Sequence, residues 1–185
     1  MAGNNFVASI DIGTEKIALL AADIEDAGHL RIIAHNFCSS DGVKKGSLSS
    51  IDSLARVIIK LIEKTKKDFG YKVDLARINI SDTHLTCTDG RGKVSIDETV
   101  TLKDLDSVLE SAMAMSTPTN KEKLHIIKKK FTINENVVVD NPMEMEAEVL
   151  ESKVHIVTVS SSSIRNIERC LEQSDLAAEK IVLNS

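Results

Sequence analysis

The chain has 185 residues, 42% of them hydrophobic and 28% charged, with a formal net charge of −5. These values fit a globular chain of one domain or two small ones, exclude a disordered one, and lack the basic excess of a general nucleic-acid binder. With no Trp, one Tyr and four Phe, the core must be built from Ile, Val, Leu and Ala.

Residues 5–10 read as a short buried strand and 16–24 as a second, with only Asp11-Ile12-Gly13-Thr14-Glu15 between them. Asp26-Ala27-Gly28 signals a turn, and 30–37 gives a third strand, so the chain opens as an antiparallel meander. Ser40-Asp41-Gly42 and Lys44-Lys45-Gly46 read as a loop. Ser49 and Asp52 then make a capping-box signature. Ile51, Leu54, Ala55, Ile58, Leu61, Ile62 and Phe69 follow at helical spacing, and Gly70 is a natural stop. Residues 76–81 return as a strand. The order β-β-β-α-β resembles the opening half of the ribonuclease-H-like domain shared by actin, Hsp70 chaperones and sugar kinases.

The middle changes character. Residues 83–88 and 93–96 read as two short strands around a turn at Asp89-Gly90-Arg91-Gly92. Thr101 and Asp104 form a second capping box, and Leu102, Leu105, Val108, Leu109, Ala112 and Met113 line one helical face. Residues 124–134 and 146–159 read as long strands joined through Asp140-Asn141-Pro142. Ser160 to Ser163 is rich in capping residues, and Ile164, Ile167 and Leu171 open a helix. A last strand spans 180–183, and a chain stopping there reads as truncated.

Cys38, Cys87 and Cys170 form no C-x-x-C pair, so buried thiols in a reducing compartment are expected rather than zinc or thioredoxin-like chemistry. The N-terminus lacks a basic n-region, and the longest apolar run, 17–22, is far short of the ~20 residues that span a bilayer. The expectation is a cytosolic chain without its own membrane anchor.

One motif carries chemistry. Asp11-x-Gly13-Thr14 sits between two strands, and a tight hairpin there points backbone N–H groups at one spot, a nest that binds anions. Gly13 permits close approach, the Thr14 hydroxyl can donate to a phosphate oxygen, and Lys16 can reach a terminal phosphate. Asp11 can hold a magnesium-bound water. His84, His125 and His155 share no ligand spacing and read as structural. Lys128-Lys129-Lys130 reads either as a protected strand edge or as a patch for an acidic tail.

Residues 7–17, V-A-S-I-D-I-G-T-E-K-I, resemble the first phosphate loop of the FtsA family of bacterial actin-like cell-division proteins. Gly42-Val43-Lys44-Lys45-Gly46 resembles that family's R-G-x-x-K-G segment. Residues 81–87, with His84 in place, resemble its S-G-x-H-I segment. Leu124-His125-Ile126-Ile127, Asn141-Pro142 and Val154-His155-Ile156-Val157-Thr158 match its inserted subdomain, and residues 166–171 its following helix. Asp41 departs from the usual Arg, Asp82 from Gly and Lys128 from Pro. Glu15 departs from a small residue, and its carboxylate would weaken phosphate binding unless it turns outward.

The resemblance implies a mixed α/β, actin-like ribonuclease-H-like subdomain, 1A, with an inserted strand-helix-strand-strand (SHS2-type) subdomain, 1C. Subdomain 1A would occupy 1–82 and 159–185, and 1C would occupy 83–158. It implies ATP and Mg2+ on Asp11, Gly13, Thr14, Glu15 and Lys16, with Asp11 reaching the metal through water and no catalytic residue in this chain. It implies at most a weak ATPase in the full-length protein. It further implies self-association into filaments, a grip on the division protein FtsZ, and recruitment of late division proteins through residues 83–158. Membrane attachment would come through a C-terminal helix not in this chain, at the inner face of the cell membrane at the division site. A PilM-like type IV pilus assembly protein and a small-molecule kinase of the actin-like superfamily are the alternatives. The 42–46 segment and the 154–158 strand favour FtsA over PilM.

Overall fold

The computed structural model describes residues 6–83, 85–114 and 117–183 and falls into two compact units: Met1–His84 with Ser161–Ser185, and Leu85–Ser160. His84, one of the expected motif residues, lies outside the described residues.

The first unit holds a five-stranded sheet. Strands β1 (Phe6–Ile12), β2 (Lys16–Ile24) and β3 (Leu30–Ser39) are antiparallel. The expected loop beyond them contains a tight hairpin, β4 (Val43–Lys44) with β5 (Ser47–Leu48). Helix α1 (Ile51–Phe69) leads to β6 (Leu75–Ile80), which pairs in parallel with β1. The unit closes with α3 (Ser161–Gln173) and β11 (Ala177–Leu183), parallel to β6. The sheet order is β11-β6-β1-β2-β3. Three antiparallel strands followed by two parallel ones reached over crossovers are the ribonuclease-H-like arrangement.

Alternation decides which face is buried. Ala8, Ile10 and Ile12 of β1 and Ile17, Leu19 and Ala21 of β2 are buried with Leu54, Ala55, Ile58 and Leu61 of α1. Each large side chain among them contributes roughly 1.5–3 kcal/mol by leaving water. The helix starts one residue later than the sequence suggested. Ser49 and Ser50 both donate N–H to the Gly42 carbonyl, and Ser50 Oγ caps the helix by accepting from Ser53 N (3.2 Å). Gly70 ends it in the left-handed region (φ 78°), as expected.

The second unit is a four-stranded sheet, β7 (Thr86–Ser95), β10 (Val149–Ser160), β8 (Lys121–Ile133) and β9 (Val137–Val139), in the order β7-β10-β8-β9, covered by α2 (Leu102–Met113). The capping box at Thr101 and Asp104 forms as expected. Two expectations fail. Asp89-Gly90-Arg91-Gly92 is not a turn between short strands but the middle of one ten-residue strand, with Gly90 opposite Val154 and Gly92 opposite Ser152. A Cβ on Gly90 would lie 2.1 Å from Ala112 O, and one on Gly92 2.2 Å from Val108 O, so the glycines let α2 lie directly on the strand. The short strand β9 was also missed, because Val137 and Val138 are exposed and give no alternation.

Candidate functional site

The strand alternation that buries Ile10 and Ile12 puts Asp11 on the opposite face, at the end of β1. Gly13, Thr14 and Glu15 form the turn, and Lys16 is the first residue of β2. The turn is tight: Gly13 N donates to Lys16 O (3.1 Å), and a Cβ at Gly13 would approach that oxygen to 2.9 Å. Gly13 N–H is thereby used within the turn and is not one of the amides open to an anion. The amides of Thr14 and Glu15, at the exposed tip, have no hydrogen-bond acceptor among the described residues. Ser40 N donates to Glu15 O (3.0 Å), tying the tip to the end of β3, and the Glu15 side chain is exposed.

Two neighbours were not anticipated. Asn79, in register with Asp11 on parallel β6, donates from Nδ2 to Asp11 Oδ1 (2.9 Å), while Asn79 Oδ1 is buried with no partner among the described residues. Nothing in the sequence singles Asn79 out, because it alternates with Ile78 and Ile80 just as Arg77 alternates with apolar neighbours in the same strand. The second neighbour is Gly46, whose N–H donates to Thr14 Oγ1 (2.9 Å). Ser47 and Thr83 hydroxyls are hydrogen-bonded at 2.8 Å and hold the same hairpin from behind.

These groups test the fit of a hydrated magnesium ion. Asp11 keeps one oxygen free of Asn79, an acceptor that suits a water that magnesium retains. Glu15 and Lys16 are brought to the same turn as Thr14.

In the second unit, His155 Nδ1 lies 2.8 Å from Asp89 Oδ1, and Lys129 Nζ lies 2.9 Å from Asp89 Oδ2. The His155 hydrogen bond, followed by that of Lys129, holds the Asp89 carboxyl below its ordinary range. Lys130 pairs with Asp140 (3.2 Å).

Residues 82–158 match the family described as the SHS2 domain inserted in FTSA. The chain is 31% identical over 184 residues to the cell division protein FtsA of Borreliella burgdorferi, covering 98% of this chain and 45% of that protein. The chain is thus similar to FtsA proteins over nearly its whole length, and its residues 82–158 carry the SHS2 domain of that family. It is 29% identical to FtsA of Pseudomonas aeruginosa and 24% to that of Escherichia coli K12, over 96% and 95% of its length. It spans 43% and 42% of those two proteins, less than half of each. Among solved structures, a PilM–PilN type IV pilus biogenesis complex superposes with a TM-score of 0.61 at 12% identity, covering 96% of this chain and 47% of that one. At that identity the likeness shows the fold alone. The sheet order, this likeness and the match at residues 82–158 together give the architecture: an actin-like subdomain carrying an SHS2 insert. Among the described residues, no helix is long and apolar enough to cross a membrane.

Proposed function

We propose that this chain forms the phosphate-binding and partner-binding part of an actin-like cell-division scaffold. ATP phosphates would rest on the Gly13–Glu15 turn, meeting the Thr14 and Glu15 amides, the Thr14 hydroxyl and the Lys16 ammonium. Asp11 would hold a water of the accompanying magnesium ion, and Asn79 would fix the carboxylate's orientation. Glu15 turns its carboxylate outward in this reading, which spares the phosphates a repulsive neighbour. Residues 83–158 would be the insert that recruits late division proteins, with 1–82 and 159–185 as the actin-like subdomain. Filament formation, a grip on FtsZ and attachment to the inner face of the cell membrane would belong to the full-length protein.

The observation that carries the proposal is the Asp11–Asn79 pair beside a glycine turn whose tip amides are free. A hairpin serving only to reverse the chain has no use for a carboxylate and a buried, unpartnered amide oxygen at its base. The test is Thr14→Val in the full-length protein. Valine keeps the shape of threonine and suits a strand end, but removes the hydroxyl. Calorimetry with ATP and magnesium is expected to show affinity reduced by ~10-fold or more, with the thermal transition retained. Unchanged affinity would remove Thr14 from the site.

A further inference from the structure

We propose that Lys45, at the tip of the β4–β5 hairpin, contacts the terminal phosphate of the bound nucleotide and makes this hairpin the second wall of the phosphate site. The inference rests on reading the Gly13–Glu15 turn as an ATP phosphate loop.

Lys44 pairs with Ser47, so the hairpin turns in two residues, Lys45 and Gly46. Both have positive φ, 48° and 77°. A two-residue hairpin turn with positive φ at both centres favours Asn, Asp or Gly at the first and Gly at the second. Gly46 obeys that rule, and a Cβ there would also crowd Ser81 Cβ at 3.3 Å. Lys45 breaks it. A long side chain held in the left-handed region is strained, and such strain concentrates where a side chain must be delivered to a site.

The position of the tip says which site. Gly46 N lies 2.9 Å from Thr14 Oγ1. That nitrogen is bonded to the Lys45 carbonyl carbon, so Lys45 Cα stands about 2.4 Å from it. Four methylenes then carry the ammonium about 6 Å from Cα, enough to reach any atom bound at Thr14. The Lys45 side chain is exposed, forms no ion pair among the described residues and is free to swing to an anion. The same Gly46 N–H occupies a lone pair of the Thr14 hydroxyl, which leaves that hydroxyl's own proton to point elsewhere, toward a phosphate oxygen. The Ser47–Thr83 bond keeps the hairpin from drifting off the loop. One short element thus orients the donor at Thr14 and supplies a cation beside it.

The decisive variant is Lys45→Asn in the full-length protein, because asparagine suits the turn better than lysine and cannot be blamed for misfolding. Its melting temperature is expected to equal or exceed that of the parent. Its affinity for ATP is expected to fall ~10-fold, with ADP binding affected less than threefold, since ADP lacks the phosphate that Lys45 meets. Lys45→Arg, which keeps the charge, should stay within about threefold of the parent for both nucleotides. Thr14→Val, measured alongside, separates the two readings. If Thr14→Val loses affinity while Lys45→Asn keeps its preference for ATP over ADP, the phosphate loop stands and the role of Lys45 is overturned. Equal losses of ATP and ADP in Lys45→Asn would likewise overturn it, as expected if Lys45 merely offsets the Glu15 carboxylate. If neither variant alters binding, the phosphate loop itself fails and Lys45 with it.

Discussion

Replacing Gly92 with alanine tests the packing that makes the insert a unit. The added Cβ would sit 2.2 Å from Val108 O, 2.5 Å from Ala112 N and 3.1 Å from Ala112 Cα, all of them backbone atoms of α2. None can swing away as a flexible side chain would. Ordinary contact needs about 3.5 Å, so the helix must withdraw by about 1 Å along its middle turns. That withdrawal loosens Val108, Leu109 and Ala112 from Leu150, Val154 and Ile156, which form one buried cluster. Overpacking of this kind costs about 1–3 kcal/mol, and alanine's lower unfolded-state entropy returns about 0.4–1 kcal/mol. A net loss near 1–2 kcal/mol is expected, which for a unit of this size is a fall of about 5–15 °C in melting temperature. The assay is thermal unfolding by circular dichroism, paired with hydrogen exchange at the β10 amides to localise the loss. Gly70→Ala is the contrast: nothing lies within 4 Å of its added Cβ, and its cost of roughly 1 kcal/mol comes from φ alone and falls on α1. If Gly92→Ala melts with the parent or above it, the close seat of α2 on β7 is wrong.

Thr101→Ala should lower the stability of the insert by about 1 kcal/mol by uncapping α2, read from chemical denaturation. The same substitution should flatten its acid limb. The Thr101 hydroxyl, then the Thr101 N–H, holds the Asp104 carboxyl below its ordinary 3.8, so that bond's contribution is whole above that value and is lost as pH falls through the lower folded one. Of the three thiols expected to be buried, only Cys170 is; Cys38 is half-buried and Cys87 exposed, so iodoacetamide labelling followed by mass spectrometry should modify Cys87 at pH 8 and spare Cys170 until the protein unfolds. Burial pushes the Cys170 thiol up to about 12 from an ordinary 9.0, against the opposing hydrogen bond of Ser174. The raised value also makes the fold lose stability as pH climbs above 9.0, where the unfolded thiol ionises first.

Elements with a strong period were legible in the sequence. The bounds of β2 and the cap at Thr101 follow from apolar alternation and from a side chain that satisfies a backbone donor locally. What could not be read depends on partners remote in sequence. Asp89-Gly90-Arg91-Gly92 carries a local turn signal, and only the approach of Val108 and Ala112 turns those glycines into strand residues. The turn residues Gly13 and Thr14 were legible from their spacing. Asn79 and Gly46 were not, because each meets its partner across a register or a fold contact, Asp11 with Asn79 and Thr14 with Gly46. Ser49 as the helix cap failed because Ser50, one residue on, is the side chain that accepts from the first turn, at Ser53 N.

The strand order of the first unit also sets a timetable for synthesis. β1, β2 and β3 pair with their neighbours in sequence, so the meander can assemble as it leaves the ribosome. β6 finds β1 soon afterwards, over the α1 crossover. Its other flank belongs to β11, and the whole of Leu85–Ser160 must be made before that strand exists. At about 5–20 residues per second, the ~75 residues of the insert keep that flank of β6 waiting for roughly 4–15 s. An insert that closes on its own sheet shortens the list of wrong partners the waiting edge can meet. A variant that slows closure of α2 on β7 is therefore expected to cost soluble yield during synthesis as well as equilibrium stability.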